Sequence, residues 1–166
     1  MKRSSLDPPV SKLVTHPIDA GGINFETLFM GLCNNFALAL HTVYGYQIFQ
    51  VWDKVRGENS DVFVHACCRS PSGYYVDALG PWPNEDSFKK VCTFCFSIHT
   101  FYGNLRLQGP IRPEWLREQL DESHPWPYDA KQQEYLEKFV RINDWLYGPT
   151  AKARSIPHVI SRRRVK

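Results

Sequence analysis

Two runs rich in β-formers, DVFVHACCR (61–69) and YYVDALG (74–80), flank the short segment SPSG, and this hairpin constrains the chain more than any other feature. Strand residues of equal parity face one side, and across a hairpin the loop length decides which parity meets which. Pro71-Ser72-Gly73 fits a three-residue loop, a type I turn with proline at its first central position followed by a left-handed glycine. That loop pairs Ser70 with Tyr74 and Cys67 with Asp77. His65 then shares a face with Asp77, one pair along the diagonal, a backbone separation of roughly 7–8 Å that an imidazole and a carboxylate can close. A five-residue loop would set the two directly opposite; a two- or four-residue loop would put them on opposite faces.

A helical pattern precedes the hairpin. Cys33, Phe36, Ala37, Leu40 and Tyr44 recur on one face of residues 32–44, and Gly45 is placed to end the helix. An earlier start at Asn24 would leave Gly31 inside, at a cost of roughly 1 kcal/mol relative to alanine, so a break near Gly31 is expected. YQIFQVWD (46–53) reads as a strand, while residues 86–95 read equally as helix or strand. IRPEWLREQL (111–120) has Pro113 near a helix start. Residues 129–148 form a longer helical pattern, with Asp129 as N-cap, Tyr135, Leu136, Phe139, Ile142 and Leu146 as its apolar stripe, and Gly148-Pro149 as its stop. Trp115, Trp126 and Trp145 are expected to anchor these C-terminal helices to the sheet. The expected class is α+β: an N-terminal active-site helix packed on a small antiparallel sheet, with added C-terminal helices.

The 166 residues suit one domain, assigned to 23–149, between an arm at 1–22 rich in proline and glycine and a basic tail at 150–166. The tail holds Lys152, Arg154, Arg162, Arg163, Arg164 and Lys166, so most of the formal charge of +3 lies there and the body is slightly acidic. It is read as solvated and leaving the body, able to recruit an acidic partner or to neutralise phosphates of a nucleic acid. The N-terminus lacks the apolar run of a secretory signal, and no stretch is long and apolar enough to span a membrane. Five cysteines, two adjacent at Cys67 and Cys68, make a poor disulfide framework and point to free thiols in a reducing, cytoplasmic setting.

A cysteine on an apolar helical stripe is commonly a packing residue. Cys33 has two features beyond that: a helix N-terminus and a candidate imidazole, His65, both of which stabilise a thiolate nucleophile. A carboxylate beyond the imidazole, here Asp77, fixes its tautomer and stabilises its cation. The order of cysteine at a helix start, histidine on a strand and aspartate on the next, within GLCNNFALAL, VFVHA and GYYVDALG, resembles the papain-like and transglutaminase-like superfamily of cysteine hydrolases. The resemblance covers roughly residues 24–80. It implies a papain-like core and acyl transfer from an amide through a thioester, without a cofactor, as in peptidases, amidases, glutamine deamidases and transglutaminases; the substrate would be a protein or peptide. The family's oxyanion glutamine is missing from Asn24-Phe25-Glu26-Thr27, leaving Asn24, or Asn34 and Asn35, beside the backbone N–H of Cys33 as the donors. Trp82, in Gly80-Pro81-Trp82-Pro83, is expected to border the substrate groove. Two other readings stand beside this one. Cys92-x-x-Cys95 is half a zinc site that Cys67, Cys68 and His99 could complete. A non-catalytic module of the same fold could hold a protein or nucleic-acid partner through its aromatic cleft and basic tail.

Overall fold

The computed structural model describes residues 28, 31–55, 57–96 and 104–155. Gly31 and Leu32 form a turn that leads into helix α1 (Cys33–Tyr44), and Gly45 ends the helix in the left-handed conformation at φ 71°. Three strands follow by tight turns, β1 (Gln47–Lys54), β2 (Asp61–Arg69) and β3 (Tyr75–Asp77), and then a short β4 (Gly80–Trp82). Helix α2 (Glu85–Phe96) and strand β5 (Arg106–Ile111) precede α3 (Pro113–Gln119), α4 (Ala130–Ile142) and α5 (Asp144–Tyr147). The described residues thus form a mixed α+β fold with one antiparallel five-stranded sheet in the order β4-β3-β2-β1-β5.

The hairpin has the register that its loop dictates. Arg69 pairs with Tyr75 and Cys68 with Val76. The loop closes through Ser70 N–H to the Tyr74 carbonyl and Gly73 N–H to the Ser70 carbonyl, both at 2.9 Å, with Gly73 left-handed at φ 84°. Continuing that register sets Cys67 opposite Asp77. On its other edge β2 carries a bulge: Val51 pairs with His65 and Trp52 with Phe63, which leaves Val64 as the extra residue next to His65. Bulges of this kind re-aim the side chains beside them.

Strand alternation makes the sheet two-faced. Ile48, Ala66, Cys68 and Val76 pack with α1, α3, α4 and α5 in one core, whereas Val51, Cys67, Tyr75 and Trp82 pack with Phe88, Val91 and Cys92 of α2 in a second. Eight consecutive residues, Cys33 to Leu40, are buried, so α1 is covered all round rather than on the one stripe that its periodicity picks out. Phe36 lies against Tyr147, edge-on with ring centres 5.2 Å apart, and against Phe139 at 6.4 Å. Each such buried Leu or Phe contributes roughly 1.5–3 kcal/mol by leaving water.

Several expectations change. Residues 86–95 are helical, because Phe88, Val91 and Cys92 follow the spacing of one helix face. β5 was not anticipated; its Gly109-Pro110 is compatible with a strand only because β5 is an edge. Asp129 does cap α4, its carboxylate accepting from the Gln132 N–H at 2.6 Å, but the helix breaks at Asn143, whose side chain turns back onto the Phe139 carbonyl. Ile142, placed in the apolar stripe, is 71% exposed because the buried face of α4 runs through Gln133, Leu136 and Val140. Trp115, Trp126 and Trp145 are exposed rather than anchoring the sheet. Ala151 is buried and the Arg154 N–H donates to the Pro81 carbonyl at 2.8 Å, so the first part of the basic tail lies on β4 instead of leaving the body. The arm at 1–22, Asn24, His99 and residues 156–166 lie outside the described residues.

Candidate functional site

His65, Asp77 and Cys33 meet at the end of the β2–β3 hairpin. β3 stops at Asp77, so His65 sits just past the last β2–β3 pair, where no strand among the described residues pairs with β2 on that side. There its Nε2 lies 3.1 Å from Asp77 Oδ2, with both side chains only 1% exposed. Phe88 of α2 covers the imidazole, ring centres 6.1 Å apart. The carboxylate is held on its other oxygen as well: Asp77 Oδ1 accepts the Leu79 N–H at 2.9 Å and the indole N–H of Trp82 at 3.2 Å.

Burial acts to lower the pKa of His65, but hydrogen bonds to Asp77 and to the Cys33 thiol, with the charges of both partners, outweigh it and raise the value from 6.5 to about 9. Nε2 is turned to Asp77, and the imidazole also hydrogen-bonds the Cys33 thiol. Cys33 opens α1, and no side chain caps that helix, so the N–H groups of its first turn point towards the sulfur's surroundings. Burial pushes Cys67, Cys68 and Cys92 well up and Cys95 up to about 12, which keeps them protonated and inert.

Asn34, next to the sulfur, is buried, and its Oδ1 accepts from Gln50 Nε2 of β1 at 3.3 Å. The contact fixes the amide plane and leaves the Asn34 NH₂ as a donor. Asn35 is buried too, its Oδ1 without a hydrogen-bond partner among the described residues. Sequence reasoning missed Gln50, although an amide at the centre of the apolar run QIFQVWD was a readable signal. Trp82 is 3% exposed and supports Asp77 from behind, so it does not border an open groove. An aromatic that does lie close to the start of α1 is Trp126: a Cβ added to Gly31, two residues before Cys33, would lie 2.5 Å from the Trp126 Nε1. The indole therefore rests flat against that glycine, yet it is 42% exposed.

Cys92 and Cys95 both lie on α2, and no group of three or more His, Cys, Asp or Glu among the described residues is arranged to hold a metal ion. No described helix is long and apolar enough to cross a membrane. Comparison with known proteins finds no matching family model, no matching curated protein and no matching solved structure.

Proposed function

We propose that this chain is a cysteine-dependent amide hydrolase of papain-like type, in which Cys33 attacks, His65 transfers protons and Asp77 orients His65. The observation that carries the reading is the buried His65–Asp77 contact at 3.1 Å whose imidazole also reaches the thiol of a residue opening a helix. His65 Nδ1 takes the thiol proton as Cys33 Sγ bonds to the carbonyl carbon of a peptide, isopeptide or glutamine side-chain amide. The oxyanion faces the Cys33 N–H and the Asn34 NH₂. Collapse of the tetrahedral adduct breaks the C–N bond, His65 gives its proton to the departing amine, and a thioester remains on Cys33. Water, deprotonated by the same imidazole, then releases the acid and restores the thiol.

Residue-resolved mass spectrometry after brief iodoacetamide treatment of the reduced full chain tests this reading. Cys33 is expected to alkylate ahead of the other four cysteines, and His65→Ala to abolish that lead. Slow, uniform labelling of all five would overturn the proposal. The reading as a non-catalytic binding module draws on the exposed Trp115, Trp126, Tyr128 and Trp145. It would gain if Cys33→Ala left partner capture intact and no amide substrate in a peptide library were turned over by the wild type.

A further inference from the structure

Residues 150–155 follow α5 and run back over β4. Besides the Arg154 N–H bond to the Pro81 carbonyl at 2.8 Å, the Arg154 side chain lies across Gly80: a Cβ added there would come within 2.6 Å of Nε and 2.9 Å of Cδ. Gly80 is the strand partner of Asp77. Its φ of 121° suits glycine, and the missing side chain is the space that the arginine fills. Tyr147 completes the support from the same side. Its hydroxyl donates to the Ala78 carbonyl at 2.8 Å, in the turn between Asp77 and Gly80.

We propose that Arg154 is a positioning residue, a strap on Gly80 that keeps the Asp77 carboxylate turned towards His65. The proposal rests on the reading of Cys33, His65 and Asp77 as the reactive set, and it assigns a role to a segment outside the sequence-based domain. The titratable groups that sense Asp77 are His65, Cys67, Cys92, Cys95, Tyr147 and Arg154. Arg154 is the only one of these that is positively charged at every ordinary pH. Its charge is partly desolvated, which lowers its own pKa while Tyr147 and Asp77 act to raise it. A guanidinium in that setting loses less to solvent screening than one in water.

The test is the titration of His65 in the full-length protein, followed by NMR at the imidazole resonance that disappears in His65→Gln. If Arg154 positions Asp77, Arg154→Ala lets the carboxylate turn away and lowers the His65 midpoint by about one pH unit, a tenfold change in its protonation ratio. Arg154→Lys, which keeps the charge, should retain most of the wild-type midpoint. A mere through-space charge gives the opposite sign, because removing a cation raises the pKa of a nearby imidazole. A rise, or no change, in Arg154→Ala therefore overturns the proposal. Should that variant fail to fold, Arg154→Ser, which likewise removes the stem from Gly80, is read by the same criterion. The readout does not depend on Cys33 being a nucleophile, so its failure is separable from failure of the alkylation test.

Discussion

Replacing Asp77 with asparagine separates the electrostatic part of the His65–Asp77 contact from its shape. The amide keeps an oxygen for the Leu79 N–H and the Trp82 indole, but its NH₂ now faces His65 Nε2. The imidazole must then accept there and carry its proton on Nδ1, where it can no longer receive one from Cys33. The displacement of His65 from 6.5 to about 9 corresponds, at about 1.4 kcal/mol per pH unit, to roughly 3 kcal/mol of stabilisation from binding a proton in the folded state. Because the folded value is the higher one, this contribution is complete below pH 6.5 and is lost as pH rises through 9. The hydrogen bond to Asp77 is the largest of the raising contributions, followed by the hydrogen bond and charge of Cys33 and then the charge of Asp77. The stability gap between wild type and Asp77→Asn should therefore be about 2 kcal/mol wider at about pH 6 than at about pH 9.5. Urea unfolding followed by circular dichroism under reducing conditions measures it. Cys67, Cys68, Cys92 and Cys95, raised chiefly by burial, weaken both proteins at alkaline pH; that part cancels in the difference, and the smaller contribution of the Asp77 charge to Cys67, Cys92 and Cys95 narrows the gap further on the alkaline side. A gap that stays constant with pH, or widens on the alkaline side, would refute the assignment of a charged His65–Asp77 pair.

Trp82→Phe keeps an aromatic ring in the core and removes the indole donor to Asp77, so we expect a loss of about 2 kcal/mol in urea unfolding and slower Cys33 alkylation; unchanged stability and rate would show that the indole bond does not hold the carboxylate. Gly31→Ala puts a Cβ against the Trp126 indole and should push it outwards, raising acrylamide quenching of tryptophan fluorescence. The increase should be absent from a Trp126→Phe background, and its persistence there would mean that another tryptophan had moved.

The parts of the fold that were legible in the sequence are those set by local stereochemistry. The loop Pro71-Ser72-Gly73 admits one register, Gly45 and Asp129 punctuate their helices, and Pro113 opens α3. The His65–Asp77 contact was legible for the same reason, since it depends on strand parity and loop length over only a dozen residues. What failed depended on packing at long range. Periodicity carried Ile142 into the apolar stripe, because nothing in the spacing shows that the face of α4 turned to the core runs through Gln133, Leu136 and Val140. Tryptophans at helical spacing do not reveal whether a partner element lies over them, and Trp115, Trp126 and Trp145 have none that buries them. Gln50 and Arg154 reach the site from a strand and a segment that are distant in sequence, and only the tertiary fold brings them to Asn34 and Gly80.

The energetic character of the site bears on what it is for. A buried ion pair recovers in Coulomb attraction roughly what it loses in hydration, and well-packed apolar residues of the same volume often serve stability as well or better. His65 and Asp77 are both almost wholly enclosed, in a chain whose two cores already contain Phe36, Tyr147, Tyr75 and Phe88. Packing alone gives no reason to place a charge pair between those cores. The carboxylate accepts from an imidazole, a backbone N–H and an indole N–H, so its charge is stabilised in one orientation instead of being averaged over several. Such an arrangement need add no more stability than apolar residues of the same volume would, but it sets the tautomer and protonation of one imidazole, and the element facing that imidazole is the N-terminus of the helix that starts with Cys33. A packing cysteine needs none of this. A cysteine that must exchange a proton with a base at neutral pH needs all of it, and this favours the enzymatic reading over the structural one.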